Sequence, residues 1–160
     1  MPPPFERGLL RLACSPNAAA MNQPSFLSAS LFVAVGGALG AWLRYLTGLA
    51  WTRAIGPVAA SAFPWATLTV NLLGSLAMGL LIGWLARFGN FAEGWHGEGS
   101  RLLLGVGLLG GFTTFSAFSL ELALLIERGN MGGAFLYAAL SVCAGLAALF
   151  AGLGLMRVAV

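Results

Sequence analysis

The chain contains no lysine and no aspartate, and its charged side chains, eight arginines and five glutamates, make up only 8% of 160 residues. Soluble domains carry about a quarter charged residues, so a water-soluble fold is excluded. Hydrophobic residues reach 59% and the mean hydropathy is +0.88. The net charge of +3 is small and scattered, which excludes a nucleic-acid partner, since that needs a clustered basic face. Cysteine is nearly absent: Cys14 and Cys143 lie far apart, with no CxxC pattern and no disulfide framework. Cys143 sits in an apolar run and reads as a small core residue. His96 stands alone in a polar stretch, which gives a metal role little support. There is no GxxxxGK[ST] phosphate loop and no nucleophile–base pair or metal cluster can be assembled, so the chain does not read as an enzyme.

What is present is long apolar runs. Leu12–Leu43, Ala54–Ala86, Leu102–Leu120 and Gly129–Met156 contain no charged residue. A spanning helix needs about 20 apolar residues, and four spans follow, over residues 27–50, 65–87, 101–126 and 132–156. Pro57 and Pro64 bracket the first connection and stop the second run from being one long helix. Phe88–Ser100, with Asn90, Glu93, His96 and Glu98, reads as an aqueous loop. The third connection, near Arg128-Gly129-Asn130, is short and predicts an antiparallel pair. The first twenty residues are Pro-rich, and Arg11, Ser15, Pro16 and Asn17 interrupt their apolar patch, unlike a signal peptide. Residues 1–24 are therefore set apart as a dispensable extension, and 25–158 as one four-helix transmembrane domain.

The third span is unusual at its centre. In Gly105–Glu121, Gly110 and Gly111 precede Thr113 and Thr114, followed by Ser116 and Ser119. In lipid every backbone N–H and C=O needs a partner, so irregular backbone survives only inside protein or beside a water-filled cavity. Broken membrane helices present dipole ends and bare carbonyls that bind ions. The predicted fold class is an all-α membrane protein of four transmembrane helices, with a break in the third that points to ion handling.

Polar residues recur at helical spacing. Thr67, Asn71 and Ser75 are i, i+4 and i+8 and share one face. They form either interhelical hydrogen bonds or a track whose Asn NH₂ and Thr OH donate to an anion. Tyr137 and Ser141 repeat the pattern, with Gly145 continuing it without a side chain. Neutral donors with no buried carboxylate favour an anion path over a cation path, which lines itself with acids or carbonyl rings. Phe115 and Phe118 face one way, either as lipid or core contacts or with their positive ring edges toward an anion. Glu121 is placed near the end of the span, solvated or paired with an arginine. Arg44 is either an intramembrane functional group or a side chain snorkelling to the interface.

Two further patterns concern assembly. Gly36–Gly40, Gly79–Gly83 and Gly107–Gly111 have the GxxxG spacing of close helix packing. With both termini on one side, that side carries Arg87, Arg101 and Arg157, plus Arg7 and Arg11 where the extension is present; the other carries Arg44, Arg53 and Arg128, so that counted from Met21 the tally is three against three. The positive-inside rule then gives almost no orientation, and antiparallel pairs of one dual-topology chain become plausible.

Three stretches carry a resemblance: Gly36–Tyr45 (GGALGAWLRY), Thr67–Ser75 (TLTVNLLGS) and Gly110–Ser119 (GGFTTFSAFS). In this order they resemble the signatures of the Fluc (CrcB) fluoride channels. The resemblance implies an antiparallel dual-topology homodimer, embedded in lipid as a multi-pass protein of a bacterial-type cytoplasmic (inner) membrane, that exports fluoride passively and limits its toxicity. It also implies a structural Na⁺ at the dimer interface. Carried over by position, Asn71 is the pore amide, Thr67 and Ser116 its polar neighbours, and Phe115 and Phe118 the aromatic pair on the fluoride path. Tyr137 and Ser141 match the polar track. Gly110 and Thr113 offer backbone carbonyls to Na⁺, and Arg44 and Glu121 occupy family-typical positions. Gly145 departs from the pattern, where a hydroxyl often continues the track. The alternative is a small dual-topology drug transporter coupled to protons, which needs an acid deep in a span, usually the first, where this chain has none. A structural subunit without a pore would not need the aligned donor faces.

Overall fold

The computed structural model describes residues 24–87 and 95–158. The expected N-terminal extension and most of the polar loop between the second and third spans lie outside the described residues. Four helical runs among the described residues are long and apolar enough to cross a membrane: Phe26–Ala62, Trp65–Arg87, Glu98–Glu127 and Met131–Val158.

Helix α1 (Phe26–Ala62) is longer than its expected span, continuing past residue 50 with a kink at Gly56 (φ 81°, ψ 157°). A residue before proline is pushed out of the helical region, and glycine accepts the positive φ that results here. Pro57 then occupies the first turn of the resumed helix, where its missing N–H costs nothing. Phe63, again before a proline, is extended (φ −146°, ψ 141°), and α2 (Trp65–Arg87) begins directly after Pro64. Pro57 thus redirects the helix, and only Pro64 ends it.

The third span is assembled from α3 (Trp95–Ser100), a widened stretch with i−5 bonding (Arg101–Leu109), α4 (Gly110–Phe112) and α5 (Phe115–Glu127). The stretch expected as loop up to Ser100 is therefore helical in its last six residues, where Arg101 forms a bidentate pair with Glu98 at 2.7 and 2.9 Å. Between α4 and α5, Thr113 and Thr114 are extended (ψ 157° and φ −152°). The fourth span comprises α6 (Met131–Ala139), a second widened turn (Leu140–Ala144) and α7 (Gly145–Val158). Such widened turns are rare and often occur at functional sites.

The turn from α5 to α6 is tight. The N–H of Asn130 reaches the Leu125 carbonyl at 3.0 Å and that of Gly129 reaches Ile126 at 2.9 Å, with Gly129 left-handed (φ 74°). This is the paired closure that satisfies the last carbonyls of a helix. Asn130 then caps α6, its Oδ1 accepting the Gly133 N–H at 2.9 Å. Next to it, Arg128 donates to the Ser61 carbonyl at 3.0 Å, joining this turn to the end of α1.

Two seams of near-touching backbone hold the spans. A methyl group at Gly36 or Gly40 would overlap the Leu103 or Leu108 carbonyl oxygen, so α1 lies directly on the third span. A methyl at Gly79 would overlap the Leu149 carbonyl oxygen, so α2 lies directly on α7. Lipid tails give helices no hydrophobic reason to associate, so such contact by van der Waals packing is the main attraction. Beneath the site, Leu68, Leu125, Ala134 and Tyr137 form a buried cluster, with Phe63, Leu72, Phe118 and Leu122 against it.

Candidate functional site: a polar groove beside a hydrogen-bonded acid

Asn71 and Thr114 meet at the extended pair. The Thr114 N–H donates to Asn71 Oδ1 at 2.9 Å, and Asn71 Nδ2 donates to the Thr114 carbonyl at 3.2 Å. One side chain of α2 therefore completes the peptide that the helix leaves unsatisfied, as buried backbone requires. Thr114 also caps α5, its Oγ1 accepting the Ala117 N–H at 3.2 Å and lying 3.2 Å from Ser116 Oγ. In a continuous helix the Thr114 N–H would serve the Gly110 carbonyl and the Ala117 N–H that of Thr113. Both donors are diverted, so these two carbonyls lose their helical partners.

Thr67, Tyr137 and Glu121, each singled out in the sequence, form a second centre whose joining no helical spacing shows. Thr67 and Tyr137 both donate to the Glu121 carboxyl group, each at 2.7 Å, joining α2, α5 and α6. Glu121 is half-buried, Thr67 is buried, and Tyr137 is fully buried. Glu121 is neither freely solvated at a span end nor paired with an arginine, because two hydroxyls from neighbouring helices hold it. A half-buried carboxyl group therefore lies between the helices, and the choice of anion over cation cannot rest on the absence of acids. The spacing of Thr67 and Tyr137 on their helices was visible; that both faces converge on Glu121 is a matter of tertiary packing. Replacing Glu121 by alanine strands two hydroxyls, a penalty of about 1–3 kcal/mol each where buried. Glu121→Gln keeps an acceptor. We expect the thermal midpoint of the purified protein to fall clearly for Glu121→Ala and less for Glu121→Gln; equal midpoints would show that the triad does not stabilise the bundle.

The donor face of α2 thus divides. Thr67 serves the acid, Asn71 serves the Thr114 peptide, and Ser75 opens on a groove of about 360 Å³. Asn71, Thr113, Thr114, Phe115, Phe118 and Ser141 line the same groove. The Ser141 hydroxyl is buried and has no hydrogen-bond partner among the described residues. Phe115 is 79% exposed, and its ring lies 5.6 Å from that of Phe118, which in turn lies 5.1 Å from Tyr137. Ser116 is exposed beside Phe115, and Gly110 is exposed on the α4 side of the extended pair. Arg44 is half-exposed on α1 and does not line the groove.

Four apolar helical runs with a polar groove between them define a multi-pass membrane protein. The family described as "CrcB-like protein, Camphor Resistance (CrcB)" matches residues 31–153. The chain is 56% identical over 131 residues to a protein of Novosphingobium aromaticivorans named fluoride-specific ion channel FluC, covering 82% of this chain and 98% of that one. Proteins of the same name from Sphingopyxis alaskensis (55% over 129 residues; 80% and 95% covered) and Caulobacter vibrioides (51% over 127 residues; 79% and 94% covered) are also similar. The chain belongs to the CrcB family. Its named relatives are ion channels, not enzymes.

Proposed function

We propose that this chain is a fluoride channel of the cytoplasmic membrane, acting as one half of an antiparallel pair of copies. Fluoride leaves the cell passively along the groove, which limits its toxicity. The observation that carries this reading is the Ser141 hydroxyl, buried without a partner in a groove that also holds the Asn71 amide and the Phe115 and Phe118 rings. Fluoride is small and strongly hydrated, so a path for it must replace part of its water shell. Neutral O–H and N–H donors and the positive edges of phenyl rings do this without a fixed cation, which would hold chloride as well. Binding is then strong enough to admit the ion and weak enough to release it. The names of the relatives support fluoride as the ion, and membership of their family sets aside the proton-coupled drug transporter.

The dimer and the sodium ion belong to the same proposal. The exposure of Phe115 supports a second copy closing the groove, and the balanced arginines support an inverted one. The break at Thr113–Thr114 deprives the Gly110 and Thr113 carbonyls of their helical donors, and bare carbonyls suit a hard cation. Bound between two copies, Na⁺ would supply the positive charge that those carbonyls lack. Thr67, Tyr137 and Glu121 fix the wall of the path.

The test is efflux from liposomes holding the purified protein, read by fluoride and chloride electrodes. Fluoride should leave while chloride stays, and protein prepared without Na⁺ should lose its paired state. Silence from paired, folded protein would refute the channel. Cysteines placed at one membrane face should react from both sides of whole cells if the copies are inverted, and from one side if they are not.

A further inference from the structure

We propose that Ser75 supplies, from α2, the ion-path hydroxyl that the fourth span lacks at Gly145. The inference rests on the fluoride reading and names one more contact within it. Along the fourth span the row Tyr137, Ser141, Gly145 ends in a residue without a side chain. Gly145 is buried, and a Cβ built there would stand 3.7 Å from Ser75 Oγ. Ser75 therefore reaches the place that a side chain at position 145 would fill.

The Ser75 hydroxyl is also unspent. Hydroxyls inside helices commonly bond back to the carbonyl one turn earlier. Thr47, Thr69 and Ser119 do so in this chain, to Leu43, Trp65 and Phe115 at 2.9, 2.8 and 3.0 Å. No hydrogen bond among the described residues engages the Ser75 hydroxyl. Its two neighbours on the same face of α2 are committed, Thr67 to Glu121 and Asn71 to the Thr114 peptide. Ser75 instead lines the groove with Ser141, whose hydroxyl is likewise unpaired. The two hydroxyls, from different spans, form a pair of neutral donors of the kind a small anion needs. The missing side chain at Gly145 leaves Ser75 uncovered.

Four proteins in the liposome assay test this: the unaltered chain, Ser75→Ala, the exchange Ser75→Ala/Gly145→Ser, and Gly145→Ala. Removing one donor to a charged partner should slow fluoride efflux about tenfold in Ser75→Ala. The exchange moves the hydroxyl across the gap and should restore efflux to within about threefold, well inside the loss of one such bond. Gly145→Ala places a methyl in ordinary contact with Ser75 Oγ, covers the donor and should also slow efflux. Undiminished efflux in Ser75→Ala overturns the proposal, as does a folded, paired exchange variant as slow as Ser75→Ala. If Ser75→Ala does not fold, undiminished efflux in Gly145→Ala overturns it alone. Failure of the unaltered chain to pass fluoride would instead refute the channel reading beneath it.

Discussion

Asn71→Asp is expected to abolish fluoride flux in protein that still assembles. The substitution changes one atom of the site. Its retained oxygen can still accept the Thr114 N–H, but a negative oxygen replaces the NH₂ that donates to the Thr114 carbonyl at 3.2 Å. The new charge lies in the wall of the groove proposed to carry fluoride. Two unit charges about 4 Å apart at an effective dielectric of about 20 repel by about 4 kcal/mol, which is roughly a thousandfold in occupancy. Efflux from liposomes, normalised to the paired fraction on gel filtration, measures it. Flux within about tenfold of the unaltered protein, a third of that energy, would remove Asn71 from the ion path.

The second large effect concerns folding. Gly79→Leu should leave no monodisperse protein, because the new side chain would enter the backbone of α7 at Leu149. Overfilling a packed interior usually costs about 1–3 kcal/mol where side chains can move aside. Here the obstacle is a carbonyl oxygen, and relief requires separating two spans along their main seam. Gly154→Leu, on the same α7, is the control, since a Cβ there meets nothing within 4 Å. Gel filtration and thermal unfolding should distinguish the two. A well-folded Gly79→Leu protein would show that the seam yields.

Much of the architecture was legible because lipid imposes a simple pattern. Charge-free stretches marked the four runs, and Arg128-Gly129-Asn130 marked a turn whose glycine is left-handed and whose asparagine caps the next helix. The glycines and hydroxyls from Gly110 to Ser119 drew attention to the segment in which Thr113 and Thr114 are extended. The end of α1 was not legible, because proline has two effects: it disturbs the residue before it and suits the first turn after it. At Gly56-Pro57 both operate, and the helix bends instead of stopping.

The site was legible by residue type more than by role. Thr67, Asn71 and Ser75 share a helical face, yet Thr67 meets Glu121, Asn71 meets the Thr114 peptide and Ser75 opens on the groove. Glu121 shows the limit most clearly. Its distance from the charge-free centre of the run suggested water or an arginine, while the two hydroxyls that hold it come from residues 54 and 16 positions away. No periodicity within one helix encodes that meeting.

In the inverted pair proposed above, the bond from Arg128 to the Ser61 carbonyl forms at opposite membrane faces in the two copies. In such a pair the same surface would meet cytosol in one copy and the exterior in the other, media that can differ in acidity. A guanidinium stays protonated in either, so this join between two connections holds regardless of compartment. Every basic residue of the chain except His96 is an arginine, and histidine is the basic side chain whose charge changes near neutrality. Arginines in the proposed inverted pair would keep the same charge on both sides of a pH gradient.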